Sequence, residues 1–441
     1  MTIHQTTIRP AVTPAEQRFL ELYASVSRKL PGAGIPSVRA WREAALDAFA
    51  KLGVPHRRVE AWKYTDLRTL LTEVRPLAGL TPPAQEGPGI EDSIGKPLAH
   101  LDAYRAVFVG GRFRADLSTV QTAPGVTFEP LHQSLQDEAV SARAIEKLPL
   151  RQKDFTAALA TAFATDGAIL TITPKTRLEK PLHFVFISAD GSLDALQHAI
   201  SIGEGAEASL LETHVGAGTS QAISATRIAA GKRASLKHVR LTMGASKHLA
   251  SSAVTLGEGA HYEPLQMAID GSLLRAESAI RFDGPNGRLH YTGAMMLRGH
   301  AHADFTLVVE HAAPSCESRE LVKAVLDGRS RGVFQGKVVV ERGAQKTDGK
   351  QMANALLLSD EAEFDSKPEL EIFADDVVCG HGSTAGQLDE DIMFYLRARG
   401  IPEAEARSLL IAAFVGEALD KIENEALREA LQEKVDAWLA D

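Results

Sequence analysis

Two residues in one short stretch have the types and spacing for metal chemistry. Cys379 and His381 stand in C-G-H-G, thiol and imidazole two positions apart, with glycine on both sides of the histidine. In an extended strand residues i and i+2 face the same way, so both side chains can reach one ion or cluster. Thiolate and imidazole suit zinc, iron and iron–sulfur centres. Two ligands make half a site, and the remainder must come from elsewhere in the fold or from a second subunit. The competing reading is structural: a small buried thiol beside a hydrogen-bonded histidine.

The other chemistry-bearing residues are less organised. His300, His302 and His311 fall close together, but no carboxylate or cysteine stands at matched spacing, so they read as solvated histidines on one face. His214, His238, His261 and His290 form no evident ladder. There is no G-x-x-x-x-G-K-[ST] phosphate cradle, no G-x-S-x-G elbow and no H-E-x-x-H zinc helix. The acidic run Asp360, Glu361, Glu363 and Asp365 is expected to keep a strand edge soluble. With 2 cysteines, Cys316 and Cys379, in 441 residues, free thiols in a reducing compartment are the simpler expectation.

Composition bounds what these residues can serve. An apolar fraction of 44% and a charged fraction of 24% are ordinary for a soluble globular chain. A net charge of −9 argues against nucleic-acid binding, which leaves a basic footprint. No run approaches the roughly 18 apolar residues of a membrane span. The opening M-T-I-H-Q-T-T-I-R-P has no apolar core of signal-peptide length, so a cytoplasmic protein is expected.

The elements that must position the pair follow in three blocks. Thr13-Pro14-Ala15-Glu16 supplies an N-cap, a first-turn proline and a capping-box glutamate, and Phe19, Tyr23 and Val26 recur at helical spacing. A second helix is expected from near Ser37 to Gly53, burying Trp41, Ala45, Phe49 and Leu52. In H-R-R-V-E-A-W-K-Y-T-D-L, Trp62 and Tyr64 read as packing against the next domain, and 76–97 reads as a linker. After about residue 104 short runs rich in Val, Ile, Leu and Thr alternate with turns, interrupted by one amphipathic helix carrying Phe155, Leu159 and Phe163. From Asp389 onward the chain reads helical again. Ile392, Tyr395 and Leu396 form one face, and Leu409, Leu410, Ala413 and Phe414 share a stripe.

The middle block is periodic. G-E-G-A ending at Ala206, G-K-R-A at Ala234, G-E-G-A at Ala260 and G-P-N-G at Gly287 end 28, 26 and 27 residues apart. Two strands and turns per interval without a helix is the signature of a β-solenoid coil. A leucine-rich repeat would show its L-x-x-L-x-L frame, and a propeller blade needs about 40 residues. The expected fold class is therefore mainly β, a parallel β-helix (solenoid) core over 101–388 with a helical insertion near 150–165. An N-terminal helical region and linker occupies 1–100, and a C-terminal helical region 389–441. The terminal helices are expected to cap the solenoid's open ends or, at the acidic C-terminus, to dock a partner.

Q-K-T-D-G-K-Q, from Gln345, through C-G-H-G-S-T-A-G-Q-L-D-E-D-I-M-F-Y-L-R-A-R-G-I closely resembles the C-terminal signature of the SufB/SufD family of iron–sulfur cluster assembly proteins. R-R-V-E-A-W-K-Y-T-D-L resembles the SufD branch. The resemblance implies a right-handed parallel β-helix between helical regions. It implies a non-enzymatic subunit that pairs with a SufB-like chain, binds a SufC-like ABC ATPase through its C-terminal helices, and builds a transient iron–sulfur cluster at the SufB–SufD interface. His381 matches the SufD interface histidine, and Cys379 stands beside it with a weaker claim. Leu409, Leu410 and Phe414 become candidate ATPase-docking residues, and a homodimer is plausible for the chain alone. Family members commonly read C-S-H-G-A-T where this chain has C-G-H-G-S-T, a change that keeps both residues. The segment Gln351–Asp360 has no counterpart of the SufB assembly cysteine, which favours the SufD branch. The alternative is a metal-dependent β-helix enzyme acting on a saccharide or small acid, which would need carboxylates clustered along one coil face.

Overall fold

A parallel solenoid turns its corners at residues that must adopt left-handed backbone. In the computed structural model, which describes residues 12–81, 89–148 and 153–440, one corner recurs at Lys175, Gly205, Arg233, Gly259, Asn286, Ser315 and Lys346. Their φ values all lie between 53° and 64°. For a residue with a Cβ this conformation costs about 1–2 kcal/mol. Each such corner amide is also tied to the following coil: Gly205 N–H donates to Lys232 O at 2.8 Å, Arg233 to Glu258 O at 2.8 Å and Ser315 to Gln345 O at 2.9 Å. The glycine-marked corners of the sequence are thus part of a longer series. Arg, Ser and Lys hold the same position without a compositional mark.

Successive strands alternate between two parallel sheets. The ten-stranded sheet runs inward from its last strand, Val378–Gly386, through Asp348–Leu357, Glu317–Leu326, Arg288–Leu297 and His261–Ile269. The nine-stranded sheet ends at Glu363–Ile372, paired to Arg331–Val340. In-register pairing stacks like on like inside: Ile228, Val254, Ile280, Val309 and Val338 form one buried column. Each such side chain stabilises the fold by about 1.5–3 kcal/mol relative to exposure. At the N-terminal end Val126–Pro130 and Arg112–Phe113 pair antiparallel and close the stack.

The helices do not cap the ends, contrary to expectation; they cover the outer sheet faces. Pro14–Val26, opened by the expected Thr13–Glu16 capping box, and Pro36–Leu52 pack with Phe155–Phe163 on the nine-stranded sheet. The helix Phe155–Phe163 is buried on every side rather than amphipathic. Glu403–Leu419 and Glu425–Ala440 lie on the ten-stranded sheet, with Ile411, Val415, Leu431 and Trp438 against Val239, Leu265 and Met296. A solenoid's flat outer faces expose far more apolar area than its ends, so the apolar helix stripes go there. Of the stretch read as a linker, 82–88 lies outside the described residues, and 90–99 forms two short helices buried by Ile94 and Leu98 against the C-terminal helices. The signal-peptide reading of the first ten residues also lies outside them.

The R-R-V-E-A-W-K-Y-T-D-L stretch ties the N-terminal region to the solenoid through charge. The Arg275 guanidinium is buried 3.8 Å from the Trp62 ring centre, ion-pairs with Asp304 and donates to Ala61 O at 2.7 Å. Thr65 donates to Asp304 and lies 3.0 Å from His302 Nε2. Trp62 therefore packs against the solenoid as expected, with a cation on its face. His302 and His311 are buried, not solvated; burial pushes each imidazole down to about 4. His300 alone of the three is exposed.

Removing one partner of a buried ion pair strands the other charge. Asp304→Ala is expected to cost about 3–5 kcal/mol of unfolding free energy in urea denaturation. Thr65→Ala, which removes two hydrogen bonds but no charge, should cost less, about 2 kcal/mol. Equal effects of the two would refute this account of the tie.

Candidate functional site at the open edge

The strand Val378–Gly386 has a hydrogen-bonded neighbour on one side only, Asp348–Leu357. It carries both Cys379 and His381. Register sets Cys379 beside Gly349 and His381 beside Gln351, on strands whose alternate residues face the interior. Cys379 is half-buried and packs against the solenoid core, so His381, two residues on, shares that inward face at the mouth of the last coil, where it is exposed. A Cβ built at Gly349 would lie 3.5 Å from Cys379 Sγ, in ordinary van der Waals contact, so the two positions are direct neighbours. Burial pushes the Cys379 thiol up, the Asp348 carboxylate adds to the shift, and a hydrogen bond from the Gly349 backbone opposes it. Burial thus favours the protonated thiol over the thiolate.

Two further residues stand directly behind the pair. The interior column that ends in His381 runs back through Gln351 to Glu320. Glu320 is fully buried, and burial pushes its carboxyl up to about 8, partly offset by the Gln351 amide. Deeper in the same interior, Arg240, His238 and His214 surround Glu212; burial alone would raise that carboxyl, but these partners hold it well below the usual range. Gln351 lies in the singled-out Q-K-T-D-G-K-Q stretch, whereas nothing in the sequence marked Glu320, whose position depends on register.

The two terminal edges differ in chemistry. Glu363–Ile372 carries Glu363, Asp365, Lys367, Glu369 and Glu371 with Pro368, the charges and proline that blunt an edge against pairing. The acidic run does lie at a strand edge, and Arg331 pairs with its Asp365 at 2.6 Å. Val378–Gly386 has no charged residue, three glycines and the Cys–His pair. One edge is defended and the other is open to a partner.

The expected docking residues separate. Helix Glu403–Leu419 buries Ala406, Ile411, Val415, Ala418 and Leu419, so the stripe read from sequence is not its core face. Leu409 is 48% exposed, Leu410 is half-buried, and Phe414 turns inward beneath Lys323, whose Nζ is 4.6 Å from the ring centre. Helix Glu390–Ala398 buries nothing, leaving Ile392 and Tyr395 exposed together with Phe394 at 75%, a residue the helical-face reading passed over. Cys316 and Cys379 are both free thiols. Among the described residues no helix is long and apolar enough to cross a membrane.

A parallel β-solenoid flanked by helices, with a thiol and an imidazole on a terminal strand that has one free edge, defines a class of β-helical protein. Family comparison identifies which one. Residues 185–414 match the family described as "SUF system FeS cluster assembly, SufBD core domain", and residues 13–184 match "SufBD protein N-terminal region". The chain is 30% identical over 402 residues to the iron–sulfur cluster assembly protein SufD of Escherichia coli, covering 88% of this chain and 90% of that one. It is 29% identical over 413 residues to a SufBD-family iron–sulfur cluster assembly protein of Synechocystis, covering 89% of each. Over a shorter span of 134 residues, 30% of this chain and 31% of the relative, it is 32% identical to SufD of Bacillus subtilis. The chain belongs to the SufBD family of iron–sulfur cluster assembly proteins and is SufD-like.

Glu320 gives the site a pH signature in stability. Between its ordinary 4.5 and about 8 the folded carboxyl keeps a proton that the unfolded chain has released, so folding is progressively disfavoured as pH rises. By linkage the loss amounts to roughly 5 kcal/mol and levels off above pH 8. Glu320→Gln is expected to match wild type near pH 5 and to exceed it by several kcal/mol at pH 9 in denaturant unfolding. A wild-type-minus-variant difference that stays flat with pH would show that Glu320 is not held neutral.

Proposed function

We propose that this chain is a non-enzymatic, SufD-type subunit of a cytoplasmic SufBCD-type complex, which assembles nascent iron–sulfur clusters where this chain meets a SufB-like partner. The observation that carries the reading is the thiol–imidazole pair on an uncharged strand with a free edge. His381, with Cys379 as a second group, offers ligands from this side, and the SufB-like chain completes the set. The cluster, or the iron that builds it, is a transient substrate shared across the interface, and this edge of the isolated chain holds none tightly. A partner strand added to Val378–Gly386 supplies the missing hydrogen bonds. Gly380 and Gly386 face open space there, and Val378, 63% exposed, adds apolar surface for an interface core. Without the partner, the same edge can pair with a second copy.

The C-terminal helices are the natural seat for a SufC-like ABC ATPase. Leu409, Phe394 and Tyr395 present apolar surface outward, Leu410 lies at its margin, and Phe414 anchors the helix from beneath. Glu417 of that helix also ion-pairs with Lys323 on Glu317–Leu326, two strands in from the free edge. Movement of a docked ATPase is thereby passed to the sheet that carries His381, and nucleotide-driven closure of two copies opens or closes the cluster interface.

Two measurements test this. The first is co-expression with SufB- and SufC-type partners and anaerobic purification, with iron and sulfide assayed for wild type and His381→Ala. The variant is expected to assemble and to lose most of its cluster; a full complement of iron and sulfide would reduce this chain to a structural partner. Turnover of a saccharide or small acid by the isolated chain would replace the reading with the β-helix enzyme. The second is binding of the ATPase to Phe394→Glu/Leu409→Glu, expected to weaken at least about 10-fold, the loss of roughly 1.4 kcal/mol. Unchanged ATPase binding would move the docking site off these helices.

A further inference from the structure

Register brings together three residues that the sequence left scattered. On the outer face of the ten-stranded sheet, His261 pairs with Arg288 and Tyr262 with Leu289, which sets Glu263 beside His290. His261 and Glu263 are two apart on one strand and so share that face. His261 Nε2 lies 3.0 Å from Glu263 Oε1, and His290 Nδ1 lies 3.8 Å from the same oxygen. One ligand atom from each of the three falls within 4.8 Å of the others. Three donors on a single ion at about 2.1 Å stand roughly 3.0–3.5 Å apart, so small rotations of half-exposed side chains close the set.

Three further features point to an ion rather than a chance contact. His261 Nε2 is buried and has no hydrogen-bond partner among the described residues, although the carboxylate is near. The second nitrogen of His290 faces Glu317 at 3.7 Å, beyond hydrogen-bond length, and a small rotation brings that carboxylate to where it fixes a ligating tautomer. Of the neighbouring cations, Lys237 is paired with Glu423, Arg319 with Asp348 at 2.6 Å and Glu317 at 3.4 Å, and Lys421 lines the cavity. Arg288 remains as an exposed positive neighbour.

We propose that His261, Glu263 and His290 form a binding site for a divalent transition-metal ion, ferrous iron when the chain works in cluster assembly. Two histidines and one carboxylate with open positions are the ligand set of non-haem iron(II). The open side is a cavity of about 330 Å³ between the sheet and the turn joining the last two helices. Glu263 and His290 line it, and Asp420, Glu423 and Asn424 stand on its far wall. Its position on the side of the solenoid makes it a holding site for the metal, separate from the Cys379–His381 edge. The assignment to iron rests on the assembly function proposed above; the metal site itself does not.

The test is anaerobic titration of the isolated full chain with cobalt(II), read by its visible d–d absorption, followed by displacement with excess iron(II). Iron is expected to displace cobalt only in excess, since affinity rises from iron to cobalt in the divalent series. Wild type should bind one equivalent. His290→Ala and Glu263→Gln should weaken binding about 100-fold, and Glu317→Gln about 10- to 100-fold while keeping the stoichiometry. His381→Ala should bind as wild type does, and thermal unfolding of these surface variants should be unchanged. No saturable cobalt binding, or equal binding by His290→Ala, overturns the proposal. Retained binding in a protein whose His381→Ala complex still builds clusters keeps the metal site and discards the assembly role of the edge.

Discussion

A parallel solenoid satisfies its backbone by handing every N–H and C=O to the coil before and the coil after, and the last coil has nothing after it. In this chain that deficit is not hidden. The terminal helices, which have the length and apolar stripes to cover an end, are used on the sheet faces instead. One terminal edge is protected by five charged residues and a proline, the other by nothing among the described residues. An undefended edge strand is an aggregation hazard unless a partner takes it. The Cys379–His381 pair lies on that strand, so the undefended edge and the thiol–imidazole pair coincide.

The interior behind the edge is polar where a solenoid core is usually apolar. Glu212 is buried as an ion because Arg240 neutralises it and His238 and His214 add hydrogen bonds. Glu320 has no such cation, and desolvation wins: its proton stays on. Two carboxyls in one core thus take opposite charge states according to their neighbours. Columns of this kind exist because in-register parallel pairing stacks residues from successive coils directly on one another. Register, more than proximity in sequence, decides what Gln351 and His381 stand in front of.

How far the sequence could be read follows from the same distinction between local and register-set features. The capping box at Thr13, the helix ending at Gly53, the coil period and the Cys–His alternation are local patterns, and each appears as expected. The repeat itself was legible only between about 203 and 287, because beyond it Ser315 and Lys346 replace glycine at the left-handed corners and the coils lengthen, from Gln221 pairing with Lys247 to Arg331 pairing with Glu363. His302 and His311 read as solvated because nothing nearby in sequence shows the Thr65 or Ser318 that receives them. Phe414 and Leu409 share a stripe by spacing, yet a helix lying on a sheet buries whichever stripe the sheet presents. His261, Glu263 and His290 needed the register of two strands before they became neighbours.

The state of Cys379 ties the edge to what must cover it. Alone, the half-buried thiol keeps its proton, so it is neither a strong nucleophile nor a ready ligand. A partner strand laid on the edge would remove more water and push the thiol higher still. A metal ion arriving without the partner would find only one thiol and one imidazole, too few to hold it. Only partner and metal together change the balance, because the cation stabilises the thiolate that desolvation disfavours while the partner supplies the remaining ligands. On the proposed function, the sulfur stays inert until both are present, and the cargo leaves when the interface opens. On that reading the edge suits transient assembly, because the half ligand set it offers is completed only while the partner is in place.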